Sequence, residues 1–164
     1  PAWAKEKIRL MTIRQLTLND CQAVADLEIQ LFDGRFDAAD LRALLGKLAF
    51  YGAVVPAADR PTIIHAYCLA YITSMQADII AIGTDKTQQG RGFGRVVLQH
   101  VIAVAEQQNV AEITLEVAAD NLPARHLYET CGFSVSGVRK NYYHHGENRC
   151  DAVIMVRRCD SAFP

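Results

Sequence analysis

The 164-residue sequence predicts a single α/β domain over residues 1–164, built on a mixed sheet with helices on both faces. Three observations carry that expectation. Segments with a two-residue apolar period interleave with segments of helical period in the order βααβββαβαββ. The run Ile79-Ile80-Ala81-Ile82 is apolar throughout, the mark of a strand covered on both faces. Behind it, three glycines at alternate positions turn the chain straight into a helical pattern. A right-handed crossover then returns the following strand to the side of the one just left.

The elements follow in order. Ile8 to Arg14 alternates apolar and polar residues and reads as a half-buried first strand. Thr17-Leu18-Asn19-Asp20 has capping-box spacing, with Asp in the place of the usual Glu or Gln. Val24, Leu27, Ile29 and Leu31 then predict a helix ending near Gly34. Asp37 to Asp40 repeats the cap before Leu41, Leu44, Leu45 and Leu48, a second short amphipathic helix. Phe50 to Val55 is a β-rich run stopped by Pro56, and residues 57–61 form a turn. Thr62 to Thr73 and Ala77 to Thr84 are two further strands. The third helix runs from the glycines to Asn109, a residue suited to a left-handed cap. Its buried stripe is Val97, Leu98, Val101, Ile102 and Ala105.

Ala111 to Ala118 alternates again, with Ile113, Leu115 and Val117 on one side and Thr114 and Glu116 on the other. Asn121-Leu122-Pro123 opens a fourth helix, its proline where a missing N–H costs nothing. Gly132 ends it. Phe133 to Tyr143 and Arg149 to Arg157 are the last strands, joined by the polar turn His144-His145-Gly146-Glu147-Asn148.

Apolar residues make up 51% and charged residues 21%, an ordinary globular balance. A net charge of −1, with no stretch dominated by one sign, argues against binding nucleic acid through its phosphates. The five cysteines are odd in number and lack CxxC spacing, so they read as reduced thiols without zinc or disulfides. His65, His100 and His126 are scattered without ligand spacing, and no metal is expected. Residues 1–7 lack an apolar leader core, Trp3 falling in a loosely held start, and no run is long enough to span a bilayer. No membrane partner and a cytoplasmic location are expected, as a monomer or homodimer.

The candidate site centres on Gln88-Gln89-Gly90-Arg91-Gly92-Phe93-Gly94-Arg95. Its glycines let main-chain N–H groups approach a ligand. The helix start behind them adds free N–H donors and the positive end of a dipole. Together these suit a phosphate or pyrophosphate. The Walker pattern fails for want of a Lys, and the dinucleotide pattern fails on spacing and on its place in the chain. Taken alone, the loop has a second reading, a strand-to-helix turn that binds nothing. Glu116 taken alone reads as a solvated carboxylate on a strand face, and Tyr128 as a packing residue of an amphipathic helix.

The longer pattern is specific. Gln-x-x-Gly-x-Gly, read from Gln89, resembles the acetyl-CoA loop of the GNAT acetyltransferase superfamily. From Glu116 onward, Glu-Val-x-x-x-Asn-x-x-Ala-x-x-Leu-Tyr-Glu-x-x-Gly-Phe, then Arg-x-Asn-Tyr-Tyr and Asp-Ala-x-Ile-Met, is similar to the RimI-like ribosomal-protein alanine N-acetyltransferases. The likeness covers roughly the C-terminal half, from about Ala77 through Tyr143 and again over Asp151 to Met155. It implies the acyl-CoA N-acyltransferase fold and transfer of acetyl from acetyl-CoA to a primary amine, best of all a protein N-terminus.

By that resemblance Glu116 is the general base and Tyr128 the general acid. Ile82, Gly83 and Thr84 hold the pantetheine arm through main-chain groups. Gly90, Arg91, Gly92, Phe93, Gly94 and Arg95 hold the pyrophosphate, with Gln89 opening the loop. Asn121 hydrogen-bonds the cofactor, and Tyr142 and Tyr143 line the peptide groove. No metal or covalent enzyme intermediate is implied. The first half departs from the family: Phe32-Asp33-Gly34-Arg35-Phe36 stands where Phe-Pro-Trp is usual, in a segment that helps shape the acceptor groove. Thr84 and Lys86 replace the usual Val and Pro. A small-molecule amine or amino acid therefore stands as the alternative acceptor, and an acyl-CoA-binding module without turnover as the alternative class.

Overall fold

The computed structural model describes residues 12–32, 34–145 and 148–159. Its elements are β1 (Arg14–Gln15), α1 (Cys21–Phe32), α2 (Ala38–Leu45), β2 (Phe50–Pro56), β3 (Ile64–Ile72), β4 (Gln76–Thr84), α3 (Phe93–Gln107), β5 (Glu112–Ala118), α4 (Leu122–Thr130), β6 (Ser134–His145) and β7 (Asn148–Arg158). The predicted order holds throughout. The strands form one seven-stranded sheet in the order β1-β2-β3-β4-β5-β7-β6. Only β4 and β5 run parallel; every other neighbouring pair is antiparallel.

Both faces are covered, as the sequence predicts. The α3 stripe Val97, Leu98, Val101, Ile102 and Ala105 packs with Ala53, Cys68, Ile113, Leu115 and Met155 on one face. On the other, Cys21, Val24 and Leu27 of α1 and Leu41 of α2 pack with Val54, Tyr67, Leu69 and Ala81. The apolar run of β4 serves both because of a bulge. Leu69 pairs Ala81 and Ala70 pairs Ile79, so Ile80 is the extra residue. An extra residue reverses the alternation. Ile79 accordingly joins the α3 cluster and Ala81 the α1 cluster.

That bulge falls where β4 and β5 part. Their pairing covers only Gln76 to Ile79 against Glu112 to Leu115. Beyond it β4 stays paired to β3 as far as Thr84, and β5 stays paired to β7 as far as Ala118. A bulge increases local twist, and here it turns the end of β4 away from its parallel neighbour. The result is a wedge in the middle of the sheet, open at the C-terminal ends of both strands.

Several expectations are corrected. Residues 1–11 and 160–164 lie outside the described residues, so of the first strand expected over Ile8 to Arg14 only Arg14 is seen paired, together with Gln15. The Thr17 cap opens a 3₁₀ turn over Leu18–Asp20 before the α-helix begins. Ile29 is exposed, and so is Leu48, because α2 ends at Leu45 before reaching it. The backbones of His144 and His145 still pair with Arg149 and Asn148, so the hairpin tip is tighter than expected, and residues 146–147 lie outside the described residues. Asn109 does adopt the left-handed conformation, at φ 58°. Among the described residues no helix is long and apolar enough to cross a membrane.

The start of α1 is fixed by one buried carboxylate. Asp20 accepts from Arg14 Nη1 at 2.6 Å and Nη2 at 2.7 Å, and from the Thr17 N–H and hydroxyl at 2.8 Å each. Burial pushes this carboxyl up, but the bonds from Arg14 and Thr17 outweigh it and hold the group below the usual carboxylate range. Its stabilisation is therefore present above the ordinary Asp value of about 3.9 and is lost as pH falls through the lower folded value. Replacing Asp20 by Asn should cost about 1–3 kcal/mol at pH 7. Chemical denaturation of both proteins should show that difference shrinking below pH ~4.

Candidate active site

Past Ile79 the side of β4 that faces β5 has no strand partner, so its main-chain groups from Ile80 to Thr84 edge the wedge. Gly83 lies in this stretch and tolerates no side chain. A Cβ there would stand 2.6 Å from Tyr67 Cε1 and 2.7 Å from Leu31 Cδ1.

The chain leaves β4 through a 3₁₀ turn over Lys86–Gln88, capped by the Asp85 carboxylate, which accepts from the Thr87 N–H at 2.7 Å. Gln89 Nε2 donates to the Thr84 carbonyl at 3.2 Å and folds the loop back on its own strand. Gly90 and Gly92 hold φ of 74° and 89°, the left-handed region that favours glycine. At neither position would a Cβ meet any atom within 4 Å. The room above them is the kind of cradle a phosphate needs. Gly92 is the N-cap of α3 and its carbonyl accepts from the Val96 N–H at 3.1 Å. The N–H groups of Phe93, Gly94 and Arg95 then lie in the first turn without an intrahelical acceptor. At Gly94 a Cβ would come within 3.1 Å of Thr84 Oγ1, so the helix start lies tight on β4.

Side chains around this loop are used within the protein. The Phe93 ring stands 4.9 Å from that of His65. Arg95 Nη2 donates to Thr130 Oγ1 at 2.8 Å, tying the start of α3 to the last turn of α4. Of the residues expected to hold a pyrophosphate, Arg95 has one guanidinium nitrogen engaged in this bond, while the Arg91 side chain is exposed. Asn121 caps α4, its Oδ1 accepting from the Ala124 N–H at 3.2 Å, which leaves its NH₂ as the donor toward a ligand.

Glu116 faces out of the core because Leu115 and Val117 face in. It is 29% exposed, and Arg139 Nη2 lies 3.1 Å from its Oε1. The Arg139 guanidinium also stands over the Tyr142 ring, 5.4 Å from its centre. β6 presents this arginine through an irregularity between Arg139 and Tyr143, where Asn141 takes φ 55° and its N–H donates to Asp151 Oδ1 at 2.8 Å. Tyr142 and Tyr143 meet edge to face at 5.3 Å, the first exposed and the second half-buried.

Tyr128 is 5% exposed and packs edge to face on Phe133 at 6.1 Å. Burial pushes its phenol above the ordinary range, and Cys68 and Tyr143 act in the same direction. Burial likewise raises the Tyr143 phenol, which feels Arg35 on one side and Glu116 on the other. Buried Cys68 is pushed up as well, which keeps that thiol protonated and inert.

The residues that sequence reasoning did not single out are Arg139, Arg35, Glu28 and Tyr67. Arg139 stood within the Arg-x-Asn-Tyr-Tyr run, and Asn141, a residue that tolerates the left-handed region, was the available sign of the bend that aims it.

The pattern of the Acetyltransferase (GNAT) family matches residues 22–133. The [ribosomal protein bS18]-alanine N-acetyltransferase of Escherichia coli K12 is 38% identical over 91 residues, 56% of this chain and 62% of that enzyme. The chain therefore spans less than two thirds of that relative in the match. The N-alpha-acetyltransferase RimI of Mycobacterium tuberculosis H37Rv is 34% identical over 158 residues, 94% of this chain and 95% of that protein. The crystal structure of the ribosomal-protein-S18-alanine N-acetyltransferase from Escherichia coli shares the fold with a TM-score of 0.84 at 27% identity, covering 94% of this chain and 97% of that one. Arabidopsis thaliana NAA60 in complex with acetyl-CoA has a TM-score of 0.81 over 90% of this chain and 98% of its own, and at 14% identity it speaks for the fold alone. The family match takes in the chain from α1 to the end of α4, and this protein belongs to the GNAT acetyltransferase family.

Proposed function

We propose that this protein is an acetyl-CoA-dependent N-acetyltransferase whose acceptor is a protein N-terminal α-amine, of the ribosomal-protein-alanine kind named for its Escherichia coli relative. One observation carries the reading. The open edge of β4 runs directly into a glycine cradle at a helix start, with a carboxylate on β5 across the wedge.

Acetyl-CoA bound along that edge supplies an acetyl group activated as a thioester. The main-chain groups of Ile82 to Thr84 orient its arm, and the N–H groups from Gly90 to Arg95 take its diphosphate. An α-amine with a pKa of about 7.7–8.0 is largely protonated at neutral pH. Glu116 takes that proton, directly or through one water. A main-chain N–H near Ile82 receives the carbonyl oxygen as negative charge builds on it. Tyr128 stays protonated at neutral pH because burial disfavours its phenolate, so it has a proton to give the departing thiolate. Arg139 sets the orientation of Glu116.

Three measurements test this. Acetyl-CoA at about 100 times its Kd should stabilise the fold by about 2.7 kcal/mol and raise the Tm by several degrees, while NAD and ATP do not; no shift would sink the cofactor assignment. Glu116→Gln should lower kcat on an alanine-initiated peptide by about a hundredfold or more at pH 7, with the gap narrowing above pH ~8 as the amine loses its own proton. Full activity in that variant would remove the base from Glu116. Tyr128→Phe should slow turnover by roughly ten- to a hundredfold and leave acetyl-CoA affinity unchanged. A loss of affinity alone would make Tyr128 a packing residue. The peptide is assayed beside polyamines and free amino acids, and thiol release only with the small amines would move the acceptor to that class.

A further inference from the structure

The turn between α1 and α2 stands where the family's Phe-Pro-Trp is missing, and its anchor lies beneath it. Gly34 reverses the chain at φ 79°, and its N–H donates to the Glu28 carbonyl at 3.1 Å. The Glu28 side chain is itself fully buried. Its Oε1 accepts from the Tyr67 hydroxyl at 2.5 Å. Its Oε2 is buried with no hydrogen-bond partner among the described residues, while the main chain of Arg35 and Phe36 acts to lower the pKa of this carboxyl group. The Tyr67 ring in turn lies against Gly83, and Leu31, nearly one helical turn on from Glu28, meets the same glycine.

An apolar side chain would fill this space without the cost of burying a carboxyl group. Burial indeed pushes the Glu28 carboxyl above the usual range, against the pull of Tyr67 and Arg35. The group therefore calls for a role other than packing. Its contacts supply one, because they join the turn to β3 and to the open edge of β4. The charges of Arg35 in this turn and of Glu116 on β5 both act on the Tyr143 phenol, so the turn lies on the Tyr143 side of the sheet.

We propose that Glu28 is a positioning residue for the acceptor side of the cleft. Hung from Tyr67, it holds the turn from Gly34 to Phe36 against β4 and so sets where the first residues of an acceptor lie. This rests on the acceptor reading given above.

Tyr67→Phe removes the hydroxyl and keeps the ring against Gly83. Amide hydrogen exchange is read at Arg35 and Phe36, and the KM of an alanine-initiated heptapeptide is read beside that of acetyl-CoA. Exchange at the turn should quicken by about tenfold or more, with α3 unchanged. The peptide KM should rise roughly fivefold to tenfold while that of acetyl-CoA stays within about twofold. Glu28→Gln keeps an oxygen for the Tyr67 hydroxyl and should fall between the two proteins on both readouts; it also carries the test should Tyr67→Phe not fold. Unchanged exchange at the turn overturns the proposal, and so does an equal rise in both KM values, the mark of general loosening. Should the unaltered protein leave the peptide unmodified, the acceptor reading fails, and the exchange at Arg35 and Phe36 still decides whether Glu28 holds the turn.

Discussion

Every feature of the cleft depends on where two parallel strands stop bonding. β4 and β5 share a ladder only as far as Ile79 and Leu115, and each then follows its other neighbour. Breaking a ladder inside a sheet is costly, because main-chain groups lose their partners in a place water reaches poorly. Here the loss is confined to one side of β4. The antiparallel pairing to β3 continues past the bulge at Ile80, so the strand stays straight enough to present its bare side as a row of donors and acceptors. A ligand with amide groups along its length completes such an edge as a strand would.

The same parting explains the residues around it. Gly83 belongs to the bare stretch, yet what demands a glycine is the Tyr67 ring and Leu31 behind it, on the α1 side of the sheet. At Gly90 and Gly92 the demand is reversed: nothing crowds them, and the positive φ excludes other residues. Two kinds of glycine thus bound one channel, the first set by what lies beneath the sheet and the second by the bend of the loop. The helix start behind them brings the N–H groups of its first turn, which have no intrahelical acceptor, to the same end of the sheet. Arg95 also braces the loop from behind, its Nη2 donating to Thr130 of α4.

The glycine turn into α3 and the outward face of Glu116 were legible in the sequence, and the contacts around the turn after α1 were not. Alternating residues in β5 settled that Glu116 would face away from Leu115 and Val117, and the glycine spacing marked the turn into α3. Those are local signals, readable within one or two turns of chain. What the sequence did not disclose depends on distant residues meeting. The Glu28–Tyr67 bond joins α1 to β3. Arg139 reaches Glu116 only because β7 lies between β5 and β6, an order that the chain sequence does not state. Leu48 fitted the helical spacing of α2 and is nonetheless exposed, since the cap at Gly46 ends the helix first. Periodicity foretells a face only as far as the helix lasts.

The two sides also differ in how firmly they are held, and this bears on how an acceptor is chosen. Glu116 rides on a strand whose pairing with β7 is continuous from Glu112 to Ala118, so its height in the cleft is fixed by a ladder that no ligand touches. Tyr128 is locked by burial against Phe133. The turn that follows α1 has no ladder; its Gly34 N–H donates to the Glu28 main-chain carbonyl, and the Glu28 side chain is tied to Tyr67 of β3. A change in that turn breaks no strand pairing, whereas a change in β5 would move Glu116. The short span around Gly34 to Phe36 can therefore vary while the ladder that places Glu116 stays where it is.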